Sequence, residues 1–220
     1  MIVTIDGPAA AGKGTLAAKL AEKFGFACFD TGMIYRAVGL EMVLSGADLN
    51  DETAAKEYAE NLSFPRMQEL AKHSDFRSNV GSEAASKAAA MPKVRQALLK
   101  MQQDFAKKPV FADGSPARGA VYDGRDTGTV VCPDADLKLF VTALPQVRAE
   151  RRFKEFVQKG LKVSFEEVLA QTIARDERDI NRAMAPMRPA DDAIIIDTSE
   201  MSIEEVLEKV SNLVEKRLEK

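Results

Sequence analysis

The stretch whose reading decides the fold is Met1-Ile-Val-Thr-Ile-Asp6-Gly7-Pro-Ala-Ala-Ala-Gly12-Lys13-Gly14-Thr15. Ile2 to Asp6 is a short β-rich run that halts at a glycine. From Lys13 to Phe24, the apolar residues Leu16, Ala17, Leu20, Ala21 and Phe24 recur at helical spacing. The order is strand, tight loop, amphipathic helix. Between strand and helix, Gly7 to Lys13 fits G-x-x-x-x-G-K, a loop whose glycines let consecutive N–H groups face a phosphate at the positive end of a helix. Gly7, Pro8, Ala9, Ala10, Ala11, Gly12 and Gly14 would form the cradle, Lys13 would reach the β- and γ-phosphates, and Thr15 would offer a hydroxyl to Mg²⁺. The Ser/Thr expected directly after the lysine is Gly14, with the threonine one place later.

Outward from this loop, four more runs read as strands: Phe26 to Phe29, Gly119 to Tyr122, Leu137 to Val141 and Ala193 to Ile196. Helical patterns lie between them, two opened by capping boxes, Ser164 with Glu167 and Ser202 with Glu205. Strands alternating with helices predict an α/β fold with a parallel five-stranded sheet flanked by helices, which binds ligands at the carboxyl ends of its strands. Asp6, Asp30, Asp123 and Asp197 close four of the strands and gather polar residues on that edge. Residues 51–107 show no β pattern and read as helices, with Pro65 as a break and Pro92 as a start. The 220 residues, lacking a linker or a repeat, read as one domain.

Composition narrows the function class. With 45% hydrophobic residues the chain is not disordered, and no apolar run approaches the ~18 residues of a membrane span. The N-terminus has no signal-peptide pattern, so the cytoplasm is the expected location. A formal net charge of −3 argues against a nucleic-acid polymer as partner. The charge is uneven: residues 148–188 hold ten Lys/Arg against seven Asp/Glu, and residues 191–220 hold four against nine. Local arginine clusters in an acidic protein suit a small polyanion. Cys28 and Cys132 read as small core hydrophobes, and His73, the sole histidine, as a solvated loop residue.

The Lys-Gly-Thr ending of the loop resembles nucleoside monophosphate kinases. Further stretches narrow this: Asp30-Thr-Gly-Met-Ile-Tyr35-Arg36-Ala, Asp123-Gly-Arg125-Asp126-Thr-Gly-Thr-Val-Val, Pro133-Asp-Ala-Asp, and Arg175-Asp-Glu-Arg-Asp179-Ile-Asn-Arg182-Ala-Met-Ala-Pro186. Together they resemble the bacterial cytidylate kinases over nearly the whole chain. The resemblance implies a P-loop kinase with a helical acceptor-binding insertion at about 33–92 and a short lid at about 152–164. It also implies transfer of the γ-phosphate of ATP to CMP, with dCMP a second acceptor, in pyrimidine nucleotide metabolism, by a monomer using Mg²⁺.

By the same resemblance, Arg36, Arg125 and Arg182 would hold the acceptor phosphate, and Arg175 and Asp179 its ribose. Asp126, Thr31 and Arg77 would read the cytosine and Tyr35 would line that pocket. Lys13, Arg125 and Arg182 would be catalytic, Arg148, Arg151 and Arg152 would serve ATP, and Asp123 would hold the metal through water. Arg175, Asp179 and Arg182 also fall at i, i+4 and i+7, one face of a helix. Two departures stand out: Ala10 and Ala11 replace the Gly or Ser frequent in related loops, and residues 60–81 match the family insert only at Asp75-Phe-Arg77-Ser. Two rivals remain open on sequence, a P-loop kinase for another small acceptor and a sensor that binds ATP without transferring phosphate.

Overall fold

The structure, a computed structural model, describes residues 1–219. Its elements in chain order are β1 (Ile2–Asp6), α1 (Lys13–Phe24), β2 (Ala27–Asp30), α2 (Thr31–Ser45), α3 (Glu52–Glu60), α4 (Phe64–Leu70), α5 (Asn79–Ala90), α6 (Pro92–Lys107), β3 (Ala120–Gly124), β4 (Leu137–Thr142), α7 (Pro145–Gln158), α8 (Phe165–Asn181), β5 (Ile194–Asp197) and α9 (Ile203–Leu218). A short 3-10 helix at Ser74–Arg77 and a π-turn at Thr127–Val131 complete the set. The chain folds as two compact units, a larger one of residues 1–29 with 108–219 and a smaller one of Asp30–Lys107.

In the larger unit the sheet order is β2-β3-β1-β4-β5, with β1 parallel to both β3 and β4, and β4 parallel to β5. The chain leaves β1 towards β2 on one side and leaves the adjacent β4 towards β5 on the other, which makes the carboxyl ends of β1 and β4 the natural ligand position of such a sheet. α1 and α9 pack on the sheet through one apolar core that includes Leu16, Leu20, Ile5, Leu139 and Val210. Leu16 and Leu20 are fully buried, so each contributes about 1.5–3 kcal/mol, and truncating either to alanine costs about 2–5 kcal/mol. Both expected capping boxes form, Ser164 with Glu167 on α8 and Ser202 with Glu205 on α9. A satellite cluster of Ala149, Phe156 and Val168 joins α7 to α8.

The smaller unit is all helical. Asp30 caps α2, its carboxylate accepting the Gly32 N–H at 2.9 Å. α2 and α5 meet backbone to backbone: a Cβ on Gly39 would lie 2.6 Å from the Ala84 carbonyl carbon, so only glycine fits there.

The interruption expected at Pro65 falls just before it, between α3 and α4, and Pro65 itself occupies the first turn of α4, where its missing N–H costs nothing. Two expectations change. Cys132 is buried, whereas Cys28 is exposed, because alternation along the edge strand β2 turns it outward. Arg182 is not on the α8 face shared by Arg175 and Asp179; the helix stops at Asn181 and Arg182 is extended, φ −63° and ψ 141°.

Candidate active site

Gly7 opens the loop at φ 138°, and a Cβ there would stand 2.0 Å from the Val141 carbonyl oxygen. Glycine is therefore required by both conformation and space. Gly12 caps α1 in the left-handed region at φ 88°. Ala10 also lies left-handed, at φ 60°, an uncommon conformation for a residue with a Cβ and a frequent mark of ligand-binding loops. The buried Lys13 ammonium donates to the Pro8 carbonyl at 2.9 Å and stands 3.5 Å from Asp123. Asp123 also lies close to the residue after the lysine: a Cβ on Gly14 would come within 3.1 Å of its Oδ2. Thr15, one position on, is exposed in the first turn of α1.

Beside this loop the Asp123-Gly-Arg125-Asp126 stretch and the end of α8 exchange charges crosswise. Arg125 donates through Nε to Asp179 at 3.0 Å, and Arg182 donates through Nη2 to Asp126 at 3.0 Å. Arg182 also donates through Nε to the Ala185 carbonyl, Ala185 being the second left-handed alanine, at φ 52°. Asp126, Asp179 and Arg182 are all buried. Burial pushes the Asp179 carboxyl up, but Arg125, Arg175 and Arg182 together outweigh it and hold its pKa below the ordinary carboxylate value. Asp179 therefore stays anionic, and both guanidinium planes are fixed in advance of any ligand.

Asp6 was legible only as a strand end. Its buried carboxylate accepts from the Thr127 N–H (2.8 Å), the Thr127 hydroxyl (2.8 Å) and the Gly128 N–H (2.7 Å). It thus ties the strand before the loop to the π-turn that follows Asp126. Desolvation raises its pKa in spite of these donors, with nearby Asp126 adding to the rise.

The three arginines of α7 divide. Arg148, expected to serve ATP, is 3% exposed and engaged throughout: Nε donates to the Ala143 carbonyl (2.9 Å), Nη1 to the Ala9 carbonyl (3.2 Å) and Asp176 (3.1 Å), and Nη2 to Asp176 (2.5 Å). Arg151 grips Thr198, donating to its hydroxyl at 3.1 Å and its carbonyl at 2.7 Å. Arg152 lies 5.0 Å from the centre of the Phe156 ring, and burial pulls its pKa down despite Glu155. The expected lid begins inside α7, and the segment from Lys159 to Val163 links α7 to α8.

In the smaller unit, Arg36 donates through Nη1 to the Phe76 carbonyl and the Ser82 hydroxyl, both at 3.0 Å. Thr31 and Tyr35 are buried on α2, whereas Arg77 is exposed on the 3-10 turn. His73 caps that turn, its Nδ1 accepting the Asp75 N–H. Sequence reading missed three buried polar residues here. Arg95 is 6% exposed with its guanidinium 5.3 Å from the Tyr35 ring centre, and Ser82 and Ser86 lie one turn apart on α5. The Ser86 hydroxyl is buried with no hydrogen-bond partner among the described residues. For the two serines the sequence signal was polar residues in an otherwise alanine-rich helix; Arg95 on α6 carried none.

A phosphate loop with arginine–carboxylate pairs at its side fits many phosphotransferases; the family is decided by comparison. A family model described as cytidylate kinase matches residues 3–216. The chain belongs to the cytidylate kinase family. A cytidylate kinase of Paramagnetospirillum magneticum is 50% identical over 93% of this chain and 92% of its own. That of Rhodopseudomonas palustris (strain ATCC BAA-98 / CGA009) is 46% identical over 98% of this chain and 96% of its own. Among solved structures, an uncharacterized protein from Eubacterium ventriosum superposes with a TM-score of 0.51 at 13% identity over 98% of both chains, a likeness of fold alone. The fold expected from sequence is thus the observed one, and the chain is an enzyme of the cytidylate kinase family. Among the described residues no helix is long and apolar enough to cross a membrane.

Proposed function

We propose that this cytidylate kinase homologue transfers the γ-phosphate of ATP to CMP, giving ADP and CDP, and that dCMP is a second acceptor. The observation that carries the reading is the crosswise arginine–carboxylate pairing beside the phosphate loop. It presents two rigid, permanently charged guanidinium groups, the groups best suited to a phosphate monoester. No general base is needed, because a phosphate monoester with second pKa ~6 brings its own anionic oxygen near pH 7. That oxygen attacks the γ-phosphorus, the bond to the β-phosphate oxygen breaks, and ADP leaves with the electron pair. What the protein supplies is position, charge and exclusion of water.

In this reading the Gly7–Thr15 backbone and Lys13 bind the ATP phosphates, Lys13 exchanging the Pro8 carbonyl for a phosphate oxygen. Arg125 and Arg182 face the acceptor phosphate and Arg175 and Asp179 the ribose, while Asp126 holds Arg182 in place. From the smaller unit we assign Arg36 to the acceptor phosphate, and Thr31, Tyr35, Arg77, Ser86 and Arg95 to the nucleoside. The segment from Arg152 to Ser164 is the lid in this account.

Mg²⁺ fits the residues present. The Asp123 carboxylate lies against Lys13 and Gly14 in the first turn of α1, the turn that also carries the Thr15 hydroxyl, and both residues offer hard oxygen donors of the kind Mg²⁺ takes. When bound, the ion would neutralise phosphate charge. We infer a cytoplasmic enzyme acting on free nucleotides. The test incubates ATP, Mg²⁺ and CMP with the protein and follows both nucleotides: CDP and ADP should form in equal amounts. ADP with no CDP would make the protein an ATPase, and neither product would make it a sensor; either result would end the proposal.

A further inference from the structure

We propose that Arg148 and Thr198 are positioning residues that aim the phosphate loop, and that Asp176 on α8 sets Arg148 for this task. This rests on the reading of Gly7–Thr15 as the ATP phosphate site. A peptide unit is planar and trans, so its C=O and the following N–H point in opposite directions. Fixing a loop carbonyl on the outside therefore fixes the next N–H on the inside.

Three carbonyls of this loop are held by side chains. Lys13 takes that of Pro8, Arg148 that of Ala9 at 3.2 Å, and the Thr198 hydroxyl lies 3.3 Å from that of Ala11. The Lys13 bond is released when its ammonium turns to phosphate, but the other two come from groups outside the loop. They orient the N–H groups of Ala10 and Gly12. The first of these belongs to the strained left-handed residue, φ 60°, which needs such support most.

Each strut is backed. Asp176 takes two nitrogens of Arg148, and its side chain is 14% exposed against 3% for the arginine. Arg151 donates to both the hydroxyl and the carbonyl of Thr198. The Thr198 hydroxyl shares its one proton between the Ala11 carbonyl and the Thr142 carbonyl at 3.1 Å, and because the latter also accepts the Thr198 N–H at 2.8 Å, loss of the hydroxyl leaves Thr142 paired and takes from Ala11 the bond described here. With four hydrogen bonds already fixing its guanidinium, Arg148 acts on ATP in this proposal through the loop backbone. This replaces the direct ATP role that sequence suggested for it.

The discriminating variant is Asp176→Asn. If Arg148 were an ATP ligand restrained by Asp176, neutralising Asp176 would release a cation and tighten ATP. If Arg148 is a strut, the same change loosens it and weakens ATP. ATP binding to the full-length protein is measured by titration calorimetry without acceptor, with thermal melts alongside. Thr198→Val and Asp176→Asn should each weaken ATP about tenfold, the scale of one well-placed hydrogen bond. The Kd for CMP should stay within about twofold, a split that general loosening would not give. The double variant Asp176→Asn with Arg148→Met should be no weaker than Arg148→Met alone. Tighter or unchanged ATP binding in Asp176→Asn, wild-type binding in Thr198→Val, or additive losses in the double variant would overturn the proposal. Should Arg148→Met not fold, the two other variants decide. If the wild-type protein does not bind ATP at all, it is the phosphate-site reading that fails.

Discussion

Replacing Arg182 by alanine probes two roles of one side chain, and the structure gives each a size. Arg182 is buried against Asp126, the side chains being 3% and 8% exposed at 3.0 Å, so the variant leaves a carboxylate buried without its ion-pair partner. Such a loss costs about 3–5 kcal/mol. For a chain of this size, 1 kcal/mol moves Tm by about 2–4 °C, which gives a drop of about 6–20 °C. The catalytic loss is separate. A fixed donor to a transferring phosphoryl group in a dry site is worth about 2.7–4 kcal/mol, or about 10²–10³ in rate. Assays well below the lowered Tm should therefore show kcat/KM for CMP reduced by at least about a hundredfold. Arg182→Lys should recover part of the stability but little of the rate, because lysine cannot reproduce the planar fork that reaches both Asp126 and the Ala185 carbonyl. A variant that loses 6 °C or more yet keeps near-wild-type kcat/KM would show that Arg182 is a structural ion-pair partner only.

Gly7→Ala should lower stability by about 3–5 kcal/mol, combining overpacking against the Val141 carbonyl with the cost of φ 138° for a residue with a Cβ, readable as a Tm shift. Ala185→Gly relieves the left-handed alanine at φ 52° and, after the entropy cost of glycine, should raise stability by about 0.5–1 kcal/mol; a lower Tm would contradict the strain assigned there. Because the native Asp179 pKa lies below its ordinary value of 3.8, its charge contributes stability that is complete above that value and lost as pH falls through the lower native one. Denaturant titrations should show the wild-type advantage over Asp179→Asn constant near neutrality and shrinking below about pH 4. Burial pushes the Cys132 thiol up to about 11. A thiol reagent at pH 8 should therefore modify exposed Cys28 in the native protein and reach Cys132 only after unfolding.

All five strands were legible, because each is a short apolar run and four of them are closed by Asp, and the loop declared itself through Gly-Lys at a strand–helix junction. The α1 bounds and both capping boxes followed from local chemistry alone. What stayed hidden depended on partners distant in sequence. Nothing near Asp6 foretells that it accepts three hydrogen bonds from residues more than 120 positions away. Helical spacing put Arg182 on a face of α8, yet its ion pair with Asp126 and its bond to the Ala185 carbonyl draw it off the helix end. A run of arginines on α7 resembles a phosphate clamp, while burial commits Arg148 to carbonyls and Asp176. Cys28 was misread because an edge strand has a face that propensity cannot assign. Ser86 and Arg95 were overlooked because polar residues on a helix are ordinary until the packing of their unit buries them.

The central claim is phosphoryl transfer from ATP to a cytidine monophosphate. Its most direct test is the steady-state kcat/KM for CMP, dCMP, UMP, AMP and GMP under one ATP and Mg²⁺ condition. The account predicts that CMP and dCMP lead the panel by at least about tenfold, the discrimination a base-specific set of buried hydrogen bonds supports. Equal values across the five acceptors, or a lead by a purine, would contradict it.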